Sequence, residues 1–148
     1  MTSERIPGSP DYQRLIRESF ATQGLMSTFK ARLEDVSPGA VEISAPLTRD
    51  VSQQHGFGHA GLTFALGDSA AGYAALSLME STHEVLTTEM KINLLAPAQG
   101  QRLLARGSVI KPGRRLMVVT AQVFAEDEDG ETLIALLQGT MLPVPRAD

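Results

Sequence analysis

Residues 58–80 read GHAGLTFALGDSAAGYAALSLME, and the fold turns on them. They hold no proline, many Ala and Leu, and, before Glu80, a single charged side chain, Asp68. The stretch predicts a helix whose apolar residues encircle the axis instead of forming a stripe. A helix apolar on all sides is buried on all sides, so other elements must wrap it. A membrane span is the competing reading, since 60–78 is long enough. Asp68 at the centre, the hydroxyls of Thr63, Ser69 and Ser77, and the lack of basic flanks weigh against it.

Upstream, residues 1–8 (MTSERIPG) read as a flexible leader, and Ser9-Pro10-Asp11 as a helix start with a capping hydroxyl, an early Pro and an acid. Tyr12, Leu15, Ile16 and Phe20 follow at helical spacing, and Gly24 reads as the stop. Phe29, Ala31 and Leu33 then alternate with polar residues, Ser37-Pro38-Gly39 turns the chain, and Val41, Ile43 and Ala45 alternate again. This predicts a β-hairpin over 25–47. Residues 46–57 (PLTRDVSQQHGF) form a loop long enough to be functional or disordered. Downstream come four β-type runs, 84–95, 101–111, 114–125 and 131–144, with turns at Pro112-Gly113 and Glu126–Gly130. The order α-ββ-α-ββββ predicts an α+β fold in which an antiparallel sheet wraps the long central helix, the hotdog arrangement, as one domain over 9–148.

The chain has 148 residues, 43% apolar and 20% charged, enough for one core. Seventeen acids against thirteen bases leave a formal net charge of −4. That excludes a basic nucleic-acid coat or a polybasic membrane binder as the leading idea. With no cysteine, disulfides, thiolate catalysis and sulfur-ligated metals are out. The early charges Glu4, Arg5 and Asp11 interrupt any signal-like apolar run, so the expected compartment is the cytoplasm.

Asp68 is the residue that does not belong. A buried carboxylate needs a partner or a raised pKa. It faces either a polar crevice or subunit interface, or a reaction site on a rigid element. His59 stands nine residues earlier, which places the two about 180° apart around one helix axis. If both serve one site, two helices must supply it, which requires a dimer; a lone His at a helix end otherwise serves as a cap. The small residues of Gly58-His59-Ala60-Gly61 leave backbone N–H groups at the positive end of the dipole, suited to an anion or a developing oxyanion. His55, His59 and His83 lack a zinc-ligand pattern, so no metal is expected. Lys111-Pro112-Gly113-Arg114-Arg115 is either a solvated turn or a phosphate clamp, with Arg102 and Arg106 placed to reinforce it.

The runs Gln53–Gly61, Leu66–Ala74, Met90–Ala98 and Lys111–Arg115 together resemble the PaaI-like hotdog thioesterases, over roughly residues 25–144. The resemblance implies hydrolysis of acyl-CoA thioesters with no separate cofactor, since the CoA belongs to the substrate. It places His59, Ala60 and Gly61 on the family's helix-opening motif, with the N–H after the His polarising the thioester carbonyl. Asp68 falls on the carboxylate supplied by the partner subunit, as nucleophile or general base. Thr87 falls where a hydroxyl positions water, Gln53 where an amide orients the carbonyl or nucleophile, and Lys111–Arg115 on the segment meeting the CoA nucleotide. Two departures stand out: Ala60 replaces a Gly, and Gln53 is one methylene longer than the Asn of many members. The resemblance also implies a dimer with shared sites, commonly doubled into a homotetramer. Competing readings are a non-catalytic acyl-CoA binder or sensor and, behind it, a hydratase. Phe57, Phe64 and Tyr73 could line an acyl pocket or simply fill core.

Overall fold

The computed structural model describes residues 5–147. Two short helices, α1 (Tyr12–Ala21) and α2 (Gly24–Thr28), precede strands β1 (Arg32–Ser37) and β2 (Ala40–Pro46). The long helix α3 (Ala60–Leu76) follows, then β3 (His83–Leu94), β4 (Arg102–Pro112), β5 (Met117–Asp127) and β6 (Gly130–Pro145). All pairings are antiparallel and the strand order is β1-β2-β4-β5-β6-β3, so β1 and β3 are the edges. The sheet curls around α3, which is the hotdog arrangement expected.

Alternation explains how the sheet holds the helix. Val41, Ile43 and Ala45 of β2, Leu103, Ala105 and Val109 of β4, Val119, Ala121 and Val123 of β5, and Leu137 and Met141 of β6 are all buried against α3. From Leu66 to Leu76 every α3 residue is buried except Asp68 and Ser69, which are half-buried. Glycines set how closely the layers approach. A Cβ on Gly107 of β4 would sit 2.2 Å from the Ala70 carbonyl carbon, and one on Gly67 would sit 2.8 Å from Leu137. The helix backbone therefore rests directly on the strand, a separation that larger side chains would not allow. No helix among the described residues is long and apolar enough to cross a membrane.

Three local expectations are corrected. The hairpin does not begin at 25: Gly24–Thr28 is helical and β1 starts at Arg32. That helix ends in a Schellman motif, with Ala31 N–H donating to Met26 O at 2.8 Å and Lys30 N–H to Ser27 O at 3.0 Å. Lys30 takes the left-handed position at φ 55° that glycine usually marks, which is why the sequence pattern conceals it. Gly24, expected to stop α1, opens α2 instead; α1 ends at Ala21. Arg102 and Arg106 do not reinforce the basic turn. On the outer sheet face Arg106 pairs with Glu42 and Glu131 at 2.9 and 2.7 Å and lies over Phe124, while Arg102 pairs with Glu34 and Glu126. Residues 1–4 of the expected leader lie outside the described residues, and Gly8 N–H donates to Ser77 O at the end of α3.

Candidate active site

The loop before α3 is strapped down and aims the helix start. A 3-10 turn, Arg49–Val51, buries Val51; His59 N–H donates to Val51 O at 2.9 Å and Gly58 N–H to Ala98 O at 2.8 Å. His59 is the N-cap: its Nδ1 accepts from Gly61 N–H at 2.8 Å. The Leu62 and Thr63 N–H groups both turn to His59 O. Among the described residues, this leaves the Ala60 N–H as the unpartnered donor of the first turn, at the positive end of α3. It borders a cavity of about 390 Å³ lined by Gln53, Phe57, Thr63, Leu94 and Leu95. Within it, Gln53 Oε1 accepts from His55 N–H, leaving the Gln53 amide NH2 without a partner among the described residues.

Asp68 sits elsewhere. Thr87 on β3 donates through Oγ1 to Asp68 Oδ1 at 2.8 Å. Burial pushes the Asp68 carboxyl above its ordinary value, and the Thr87 hydrogen bond pulls partly the other way. The pair opens on a second cavity, about 240 Å³, beside Ser19, Gln23, Tyr73 and Glu84. Thus one chain brings Asp68 and Thr87 together, and separately Gln53 and Ala60. The two groups lie over opposite halves of β3, near Thr87 and near Leu94, which are seven residues or about 20 Å apart.

The basic turn lies beyond β4. Lys111, Arg114 and Arg115 are exposed and form no ion pair among the described residues. Pro112, Gly113 and Arg114 border a cavity of about 350 Å³ with Met79, His83 and Met117. The turn is at the Thr87 end of the sheet, three strand spacings or about 14 Å across β6 and β5. No group of three or more His, Cys, Asp or Glu side chains among the described residues could hold a metal ion. Ser19 and Gln23 escaped the sequence reading, because α1 carries no chemical motif and only folding lays it against α3.

A family model described as the thioesterase superfamily matches residues 55–132, just over half the chain. The chain belongs to the thioesterase superfamily. It is 45% identical to a thioesterase family protein of Silicibacter pomeroyi, over 91% of this chain and 99% of that one, with a TM-score of 0.89. A Staphylococcus aureus thioesterase is 28% identical over 83% of this chain and all of that one, TM-score 0.76. That protein has been solved as a glutamine-to-alanine and as a glutamate-to-alanine variant, at positions 15 residues apart. Gln53 and Asp68 stand 15 residues apart here (68 − 53). The fold is shared with the PaaI protein of the E. coli phenylacetic acid degradation operon, at TM-score 0.81 and 17% identity over 93% of this chain and 96% of that one. Membership of this superfamily puts the chain among the thioester hydrolases.

Proposed function

We propose that the protein hydrolyses acyl-CoA thioesters to the free acid and CoA at sites shared between two copies of the chain. The division of the chemistry over β3 carries this reading. β3 is a 12-residue edge strand, and an open edge of that length calls for a partner. Two-fold pairing of β3 with its own copy about Lys91 sets Met90 opposite the partner's Ile92 and the bulge at Thr87 and Thr88 opposite the partner's Leu94. Asp68 of one protomer then faces the Ala60 N–H of the other. The same pairing covers Phe64, Leu94 and Leu95, which one chain leaves 36–58% exposed.

In that site the thioester carbonyl oxygen takes the Ala60 N–H, where negative charge develops as the carbonyl is attacked. Asp68, ionised and held by Thr87, either takes a proton from the water that attacks the carbonyl carbon or attacks that carbon itself. The thiolate of CoA leaves, and in the second route water then cleaves the acyl–Asp68 anhydride to the free acid. The Gln53 amide, beside Ala60, orients the carbonyl or the nucleophile. The basic turn of the protomer supplying Asp68 takes the CoA phosphates through Lys111, Arg114 and Arg115. The glutamine–acid spacing shared with the S. aureus protein supports the Gln53 and Asp68 assignments.

The test is thiol release across a panel of acyl-CoAs by the wild type and Asp68→Asn. The wild type should turn over at least one thioester, and the variant should lose about 10²–10⁴-fold in kcat. Near-wild-type release by Asp68→Asn would refute the assignment of Asp68.

A further inference from the structure

The cavity beside Asp68 carries polar groups beyond those assigned to hydrolysis. Its far wall comes from the N-terminal helix: Ser19 of α1 and Gln23 of the α1–α2 link converge on the Tyr73 hydroxyl of α3. Burial pushes the Tyr73 phenol up, so it remains a neutral O–H at working pH. The hydrogen bonds can then be counted. Gln23 Nε2 donates to Tyr73 Oη at 2.7 Å, and the Tyr73 and Ser19 hydroxyls share one hydrogen bond at 3.1 Å in which either can donate. One hydroxyl hydrogen of the Ser19–Tyr73 pair and the Gln23 Oε1 acceptor are therefore without a partner among the described residues, as is the Ser69 hydroxyl on the same cavity. The cavity therefore offers a donor and an acceptor side by side on the wall made by Ser19, Gln23 and Tyr73.

Its charge is of one sign. The charged groups lining it are Asp68 and Glu84, and Glu84 is paired with Arg146 at 3.0 Å. A carboxylate end would meet Asp68 with no cation in the lining to offset it. A plain hydrocarbon would strand the Ser19 and Gln23 groups, which costs more than the contact returns. The volume of about 240 Å³ lies below that of pockets for drug-sized ligands. Tyr73 is five residues beyond Asp68 on α3, a rise of about 7.5 Å.

We infer that this cavity receives the acyl group and selects a short one with a neutral hydroxyl at its far end, with Ser19 and Gln23 as the specificity-determining residues. The inference rests on the acyl-CoA reading, which it narrows to a substrate class. It assigns α1 a role in recognition, although α1 carries no part of the reacting constellation.

The test compares hexanoyl-CoA, 6-hydroxyhexanoyl-CoA and adipoyl-CoA, which differ at the far end in hydrogen, hydroxyl and carboxylate. The expected kcat/KM of the wild type is about tenfold higher for the hydroxylated thioester than for hexanoyl-CoA, and lowest for adipoyl-CoA. Ser19→Ala and Gln23→Met should each draw the hydroxyl-to-hydrogen ratio toward one; if one variant fails to fold, the other decides. Equal wild-type rates for the first two thioesters, a ratio unmoved by the substitutions, or adipoyl-CoA as the best substrate would overturn the inference while hydrolysis stood. If none of the three is hydrolysed, calorimetric titration of the same thioesters separates the two ideas. Tighter binding of the hydroxylated one, lost in Gln23→Met, upholds the cavity and refutes hydrolysis of these substrates; equal binding overturns the cavity as well.

Discussion

Ala60 occupies the first position of α3, where proline is tolerated because its missing N–H has no helical partner in any case. His59 before it is extended, at ψ 141°, the conformation that a following proline demands. Ala60→Pro therefore deletes one backbone donor and leaves the helix standing. It is the unpartnered N–H of the first turn among the described residues and the proposed donor to the oxyanion, so its loss should cost about 10²–10³-fold in kcat. Asp68→Asn alone is expected to be at least as damaging. The shared-site dimer makes a sharper claim about the two together. In a heterodimer of an Ala60→Pro chain and an Asp68→Asn chain, one site carries both lesions and the other neither. Random exchange makes half of the dimers mixed, each with one sound site, so about a quarter of wild-type thiol release should return. The assay is CoA release before and after the two variants are unfolded together and refolded, with each variant refolded alone as control. Circular dichroism should show both variants with wild-type helix content. Mixed material no more active than the separate variants would refute the shared site and place the chemistry within one chain.

Thr87→Val removes the hydrogen bond that lowers the Asp68 carboxyl and leaves the burial that raises it. In the proposed mechanism the carboxylate works ionised, so activity should disappear as pH falls through its folded pKa. A higher pKa therefore shifts the acidic limb of the kcat/KM profile to higher pH, and an unmoved limb would show that Thr87 does not tune Asp68. His59→Ala removes the cap on Gly61 and should cost about 1 kcal/mol, a Tm decrease of about 3 °C in a chain of this length. His59→Asn, whose side-chain oxygen can accept from Gly61 N–H in place of Nδ1, should restore most of it in a thermal melt; an equal loss in both variants would assign the imidazole another structural task.

Much of the frame was legible because it rests on repeated local signals. The uninterrupted apolar surround of α3 demanded a wrapping sheet, and the alternation in the last four strands supplied one. Elements resting on a single residue were not legible. The Gly24–Thr28 helix is closed by Lys30 in a backbone conformation that Gly normally announces, so alternation over 29–33 extended the hairpin too far. Arg102 and Arg106 look in sequence like neighbours of the basic turn. They are instead consumed by acids on other strands, up to 68 residues away, which no linear pattern shows.

The sequence by itself determined that one carboxylate would sit in a helix otherwise apolar all round, and that His59 and Asp68 could not meet on a single copy of it. Both follow from composition and the 3.6-residue turn, which act within one segment. Only the tertiary structure decided what surrounds that carboxylate. It brought Thr87 to Asp68, Gln53 to the opposite end of β3, and Ser19 and Gln23 across α1 onto Tyr73. These approaches join residues far apart in the chain, and their distances are set by how closely glycines such as Gly107 let the helix rest on its sheet. A linear pattern carries no term for that separation.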